Sequence, residues 1–247
     1  MKLAIVIFIV LAQAAFSAEE VVMAVTESGQ LPFHMKPSKG DLVQEGVVYE
    51  LMQIFQKEYP KYKITMRGMP RFRQEEALEK GTAAFTYNSP LFVKGKRDQF
   101  LWSLPIIKSR DCLVMLKKDK FNFNSPSDLF GKVIGTMRGY GYGEYDKYID
   151  AKKIKTIPVN ETELLIQMLK TKRIDAFFGN IFVTPYDLKK AKEKMDDFEF
   201  SQKSLYEFEY LFQVIKSKPQ LKNDLDEFIA RAQKRGLIEK LTNRYKN

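Results

Sequence analysis

The stretch Asp128-Leu129-Phe130-Gly131-Lys132-Val133-Ile134-Gly135-Thr136-Met137-Arg138-Gly139-Tyr140-Gly141-Tyr142-Gly143 decides the fold class of this chain. Residues 132–136 have the short β-branched, apolar character of a buried strand. The strand runs into a loop with glycine at every second position, and a helix is predicted from Glu144. Strand, permissive loop and helix in that order form the repeating unit of an α/β fold with mainly parallel strands. The loop is neither a dinucleotide fingerprint nor a P-loop. Its spacing is Gly-x-Gly-x-Gly, no acidic residue is placed for a ribose, and no Gly-Lys-Ser/Thr follows.

The same grammar extends in both directions. Upstream, strands are predicted at 21–26, 63–67, 83–87 and 111–116, with helices at 46–59 and 71–80. In the first helix Val47, Val48, Leu51, Ile54 and Phe55 share one face, and Gly81 closes the second. Ser125-Pro126-Ser127 opens a short helical turn. Downstream, strands are predicted at 155–159, 174–178 and 209–215. Asn160 is expected to cap a helix whose apolar face carries Leu164, Leu165, Met168 and Leu169, and Thr184-Pro185 starts another. Two last helices, 219–235 and 237–245, flank Gly236. The chain therefore reads as two α/β modules plus a strand-and-helix tail, without a low-complexity linker.

The N-terminus reads as a cleaved secretory leader over 1–18. Lys2 precedes the apolar run 3–12, small residues follow, and Glu19-Glu20 comes next. Ala12-Gln13-Ala14 offers one cleavage site, while cutting after Ala18 would place Phe16 at the −3 position. The mature protein is expected in the periplasm or the medium. The only cysteine, Cys112, is too far along for lipid attachment and reads as a small buried hydrophobe. With one cysteine and one histidine, His34, a soft-ligand zinc site is excluded, and neither metal nor cofactor is expected. The net charge of +10 is spread along the chain among acidic residues, with no nucleic-acid-binding motif. It reads as a solvated basic surface with a bias toward anionic partners.

The run 81–105, the segment 128–135, Lys172-Arg173-Ile174-Asp175-Ala176 and the ending Gly236-Leu237-Ile238-Glu239-Lys240-Leu241 together resemble the extracytoplasmic solute-binding proteins of polar amino acid ABC transporters, family 3. The resemblance implies a two-lobed periplasmic binding protein fold, each lobe a mainly parallel sheet flanked by helices, joined by two crossover strands. It places lobe 1 at 19–105 plus 212–247 and lobe 2 at 106–211, with hinge crossings near 104–110 and 207–212. A small polar solute would bind in the cleft between them.

Carried onto this sequence, the resemblance points to several contacts. Phe33 would face the solute, as the family presents an aromatic there. Arg73 matches the arginine of a Pro-Trp-x-Arg pattern, with Arg71 in place of the aromatic. Asn88 and Ser89 match the loop that holds a ligand carboxylate. The carboxylate-binding arginine falls on Lys96 by ungapped counting, with Arg97 adjacent; lysine would give a point charge where arginine grips bidentately. Arg138, Gly139, Tyr140 and Tyr142 belong to the second lobe's ligand loop. Asn180 stands where the family commonly has an aspartate for an ammonium. The implied cleft is net positive and suited to an anionic or zwitterionic, amino-acid-like solute.

The implied partners are that solute and either an ABC permease or a membrane sensor; a monomer is expected. A sensory module remains an alternative, as does an enzyme, because some cyclohexadienyl dehydratases resemble these proteins. Against an enzyme, His34 is the only histidine and no carboxylate pair falls on the cleft loops.

Overall fold

The computed structural model describes residues 17–37, 40–93 and 95–245; all but the last two residues of the expected leader, 1–18, lie outside them. From its N-terminus the chain forms β1 (Glu19–Thr26), α1 (Val47–Glu58), β2 (Tyr62–Met69), α2 (Arg71–Glu79) and β3 (Phe85–Asn88). The 17-residue β4 (Phe100–Leu116) follows. Next come β5 (Val133–Met137), α3 (Asp146–Asp150), β6 (Lys155–Val159), α4 (Thr162–Lys170), β7 (Ala176–Asn180) and α5 (Val183–Lys190). The 18-residue β8 (Phe198–Ile215) returns the chain to the first half. There α6 (Pro219–Lys234) and α7 (Leu237–Arg244) complete the fold.

The strands lie in the order β2-β1-β3-β8-β4-β7-β5-β6. β1 pairs in parallel with β2 and β3, and β5 in parallel with β6 and β7. Between these two parallel halves, β4 and β8 run antiparallel from Phe100↔Ile215 to Leu116↔Phe198. This is the two-lobed arrangement with two crossover strands. Both long strands extend well beyond 111–116 and 209–215, the stretches that local pattern marked as strand. Along the crossing, β4 is buried only intermittently and carries register shifts around Pro105, which has no N–H to give the ladder.

Each half has its own apolar core. In the first, α1 buries Val47, Val48, Leu51, Met52 and Phe55. The Phe55 ring stacks on Tyr59 and Tyr62 and meets Phe228 of α6 edge-on, tying α1 to β2 and the C-terminal helix. Gly46 precedes α1 with φ 113°, where a Cβ would lie 2.5 Å from the His34 Cα. Only glycine fits that close approach. In the second half, alternation along β7 sends Phe177 to one core, with Leu165, Ile166 and Leu188 of α4 and α5. Ala176 and Phe178 face the other, with Tyr145 and Leu129. One capping expectation is corrected: α4 begins after Glu161, and the Asn160 side chain instead accepts a hydrogen bond from Arg138 Nε at 3.0 Å.

Candidate functional site

The carboxyl ends of β1, β3, β5 and β7 converge on one cleft, where α/β folds hold their ligands. Thr26, Thr86, Tyr87 and Asn88 line it from the first lobe, and Met137, Tyr140, Phe178 and Asn180 from the second. The cavity they enclose measures about 120 Å³.

The two lobes meet around it. The Arg71 guanidinium lies over the Tyr140 ring, 6.0 Å from its centre, close enough for a cation–π attraction. A Cβ on Gly139 would lie 3.5 Å from Arg71 Cβ, and one on Gly141 would lie 3.1 Å from the Phe92 carbonyl oxygen. Alternating glycines therefore let the second lobe's loop press against α2 and the segment after β3. At the rim, Lys36 of the first lobe pairs with Glu161 of the second at 3.0 Å.

Of the residues singled out in the sequence, Asn88, Tyr140, Tyr142 and Asn180 line the cavity. Asn88 is anchored, donating to Gln213 Oε1 at 2.9 Å and accepting from the Ser89 N–H. Ser89 is buried and caps the short turn at Pro90–Phe92. Tyr142 is a pillar of its own loop: its hydroxyl accepts from the Met137 N–H at 2.6 Å and its ring rests on Phe178. Gly139 lies at the loop's crest with φ +77°, beside Arg71.

The remaining positions stand away from the cavity. Phe33 is core, 1% exposed, packed against Tyr87, Tyr210 and Phe182. Arg73 is exposed over the Phe72 ring, Lys96 pairs with Glu79 at 2.6 Å, and Arg97 is exposed with its carbonyl accepting from Trp102. Arg138 is exposed and folds back on Asn160 and Pro158.

The net-positive expectation is thereby corrected. The basic residues lining the cavity are Arg71 and Lys190, whereas Asp111, Glu161, Glu163 and Asp187 are acidic. Lys36 neutralises Glu161 and Lys190 pairs with Glu163. Arg71, whose guanidinium donates to the neutral Gln74 amide at 3.1 Å, has no ion pair among the described residues.

Asp111 is held by Asn180 at 2.7 Å and by the Tyr206 hydroxyl at 3.0 Å. Burial nevertheless pushes its carboxyl up to about 6 against those bonds. Asp187, one turn into α5, is also pushed up to about 6 by burial, with a hydrogen bond from Thr162 opposing. Sequence reasoning missed Arg71, Asp111 and Asp187 as cleft groups; only Arg71 carried a signal, as the residue replacing an expected aromatic.

The single histidine serves as support. His34 is fully buried, and its Nε2 lies 2.8 Å from the Thr26 carbonyl, so that nitrogen carries the proton. Nδ1 then accepts from the Tyr87 hydroxyl at 2.6 Å, and that hydroxyl also stands 2.7 Å from the Gln30 side-chain amide. Burial lowers the imidazole to about 4. It therefore steadies Tyr87 behind the cleft wall and does not line the cavity.

This architecture is the two-lobed periplasmic binding protein fold. No family model matches the chain, and no curated protein matches it in sequence. Among solved structures, the substrate-binding protein of an amino acid ABC transporter superposes with a TM-score of 0.74 at 18% identity, covering 92% of this chain and 99% of that one. The amino acid ABC transporter substrate-binding protein AbpA from Streptococcus pneumoniae, bound to L-arginine, gives 0.72 at 18%, covering 92% and 94%. The GluR0 ligand-binding core from Nostoc punctiforme, in complex with L-glutamate, gives 0.72 at 17%, covering 92% and 98%.

Proposed function

We propose that this chain is a secreted solute-binding protein that captures a small polar, amino-acid-like solute between its lobes and delivers it to an ABC-type permease. The observation carrying this reading is Arg71. It is a cation without an anionic partner among the described residues, set against Tyr140 where the lobes meet over a shared cavity. An arginine so placed suits a carboxylate, which it can grip bidentately. Between an anionic and a zwitterionic solute, the lining favours the zwitterion. Asp111 and Asp187 would repel a purely anionic molecule and attract an ammonium.

Binding rather than catalysis is supported by His34, which stands behind the wall and away from the cavity. The likeness to solute-binding proteins of transporters points the same way. We place the lobes at 19–105 plus 212–247 and at 106–211; separate core clusters support this division, although Ile106, Phe208 and Tyr210 at its margins pack in the first lobe's core.

The test is a thermal-shift screen against amino acids, amines, sugars and organic acids, because a solute binding only the folded state raises the melting temperature by mass action. A free L-amino acid should give the largest shift, and Arg71→Gln should weaken its binding by about ten- to a hundred-fold, the range of a lost charge-assisted hydrogen bond. A sugar giving the largest shift, unaffected by Arg71→Gln, would overturn the proposal. Secretion is checked separately by N-terminal sequencing of exported protein, which should begin between about residues 15 and 20.

A further inference from the structure

We infer that the solute carries a cationic group in addition to its α-ammonium, making it a basic amino acid, and that Asp187 is the residue that selects it. The inference rests on the reading of the cleft as an amino-acid site. Its basis is the balance of charge in the cavity wall. Glu161 and Glu163 are each matched by a lysine, Lys36 and Lys190. What remains is one cation in the first lobe, Arg71, facing two carboxylates in the second, Asp111 and Asp187.

A neutral zwitterion offers one negative and one positive group. Bound here, it would satisfy Arg71 and one aspartate and leave the other carboxylate unmatched in a closed, low-dielectric space, which is costly. A solute with one carboxylate and two cationic groups matches all three.

Asp187 is distinguished from Asp111 by an orphaned atom. Both oxygens of Asp111 are bonded, Oδ1 to Asn180 and Oδ2 to Tyr206. The Thr162 side chain opposes the rise at Asp187, yet the Asp187 Oδ2 is buried with no hydrogen-bond partner among the described residues. A buried carboxylate oxygen without a donor is costly, and an ammonium or guanidinium entering the cavity would supply the donor. The position is set by the fold. Asp187 lies on α5, which starts just after β7 and whose Val183 and Thr184 also line the cavity.

The experiment is calorimetric titration of wild-type protein and Asp187→Asn with L-lysine, L-arginine, L-glutamine, L-glutamate and 1,4-diaminobutane. Wild type should bind L-lysine or L-arginine at least about tenfold more tightly than L-glutamine or L-glutamate, a gap of about 1.4 kcal/mol. Asp187→Asn should erase that preference, lowering affinity for the basic amino acid about ten- to a hundred-fold while changing L-glutamine less than about threefold.

A preference for L-glutamine or L-glutamate in the wild type, or a basic preference that survives Asp187→Asn, overturns this inference and leaves amino-acid capture standing. No binding of any L-amino acid overturns both. Diaminobutane binding more tightly than L-lysine also overturns the inference, because such a solute lacks the carboxylate assigned to Arg71. If the variant folds poorly, the wild-type ranking still decides whether the solute is a basic amino acid. A well-folded variant should melt higher than wild type without solute at pH 7.5, because an unmatched buried charge is gone.

Discussion

Asn180 is the partner of Asp111: its side-chain nitrogen lies 2.7 Å from Asp111 Oδ1 and 2.8 Å from Ser109 Oγ. Its side-chain oxygen accepts from the N–H groups of Phe182 and Val183. The amide thus fixes the end of β7 against β4 and opens α5. By position it was expected to meet a solute's ammonium; in the structure its donors already have partners within the protein.

Asn180→Asp should therefore destabilise the protein. A carboxylate at 180 would lose both donations and stand against the Asp111 carboxylate, and two such groups at contact cannot both ionise. We expect a loss of about 1–3 kcal/mol at pH 7.5, at roughly 2–4 °C of melting temperature per kcal/mol for a chain of this size. The loss should shrink at pH 5, where one proton can be shared. An unchanged melting temperature at pH 7.5 would mean that the Asn180–Asp111 contact does not matter.

Gly141→Ala probes lobe contact. Its new Cβ would lie 3.1 Å from the Phe92 carbonyl oxygen, a backbone atom that must give way. Overpacking of this kind costs on the order of 1 kcal/mol, and here that cost falls on the closed arrangement. Small-angle scattering of the variant should show a larger radius of gyration at subsaturating solute than wild type, and solute affinity should fall several-fold. Equal radii and equal affinity would show that this contact does not govern closure.

His34 should leave a signature in stability against pH. Its folded value, about 4, lies below the ordinary 6.5, so its contribution is complete above 6.5 and is lost as pH falls toward 4. The shift corresponds to about 3 kcal/mol. Asp111 and Asp187, raised to about 6, act in the opposite sense over the same range: protonating them on acidification favours the fold. The two effects separate by comparing wild type with His34→Gln, which keeps polar atoms and loses the titration. The variant should be less stable at pH 7, and the gap should narrow by about 3 kcal/mol by pH 4. A constant gap would place the buried imidazole's titration elsewhere.

Solute affinity should depend on pH through the same two carboxylates. Both are ionised above about 6 and protonated below. Around Asp187 stand Lys190 paired with Glu163 and Glu161 paired with Lys36. Around Asp111 are Asn180 and Tyr206, and Arg71 faces the cavity from the first lobe. A basic amino acid should bind more tightly at pH 8 than at pH 5, by about tenfold for each carboxylate it pairs with. Calorimetry at the two values checks the direction; tighter binding at pH 5 would refute it.

How far the sequence could be read follows from the range of the forces involved. Local pattern sufficed for β6 at 155–159, for α1 with Val47, Val48, Leu51 and Phe55 on one face, and for the glycine loop before α3. Periodicity and glycine chemistry act within a few residues, so the α/β alternation is written in the chain itself. Local pattern did not mark the first halves of β4 and β8 as strand, because they bridge two cores and lie against neither for long. Their burial is intermittent, and no period of two emerges.

The site is divided the same way. The sequence by itself determined a glycine-rich loop with Tyr140 and Tyr142 and strand ends near Asn88 and Asn180, and the family resemblance of its motifs placed them at a cleft, whose cavity these four residues line. Only the tertiary structure decided which charges share it. Arg73, Lys96, Arg97 and Arg138 lie near the cleft in sequence yet point to solvent or to local partners. Arg71, Asp111 and Asp187 come together from α2, β4 and α5. The physical reason is that a charge's role depends on what lies within a few ångströms of it and on how much water is excluded. Both are properties of packing between distant segments and not of neighbours along the chain.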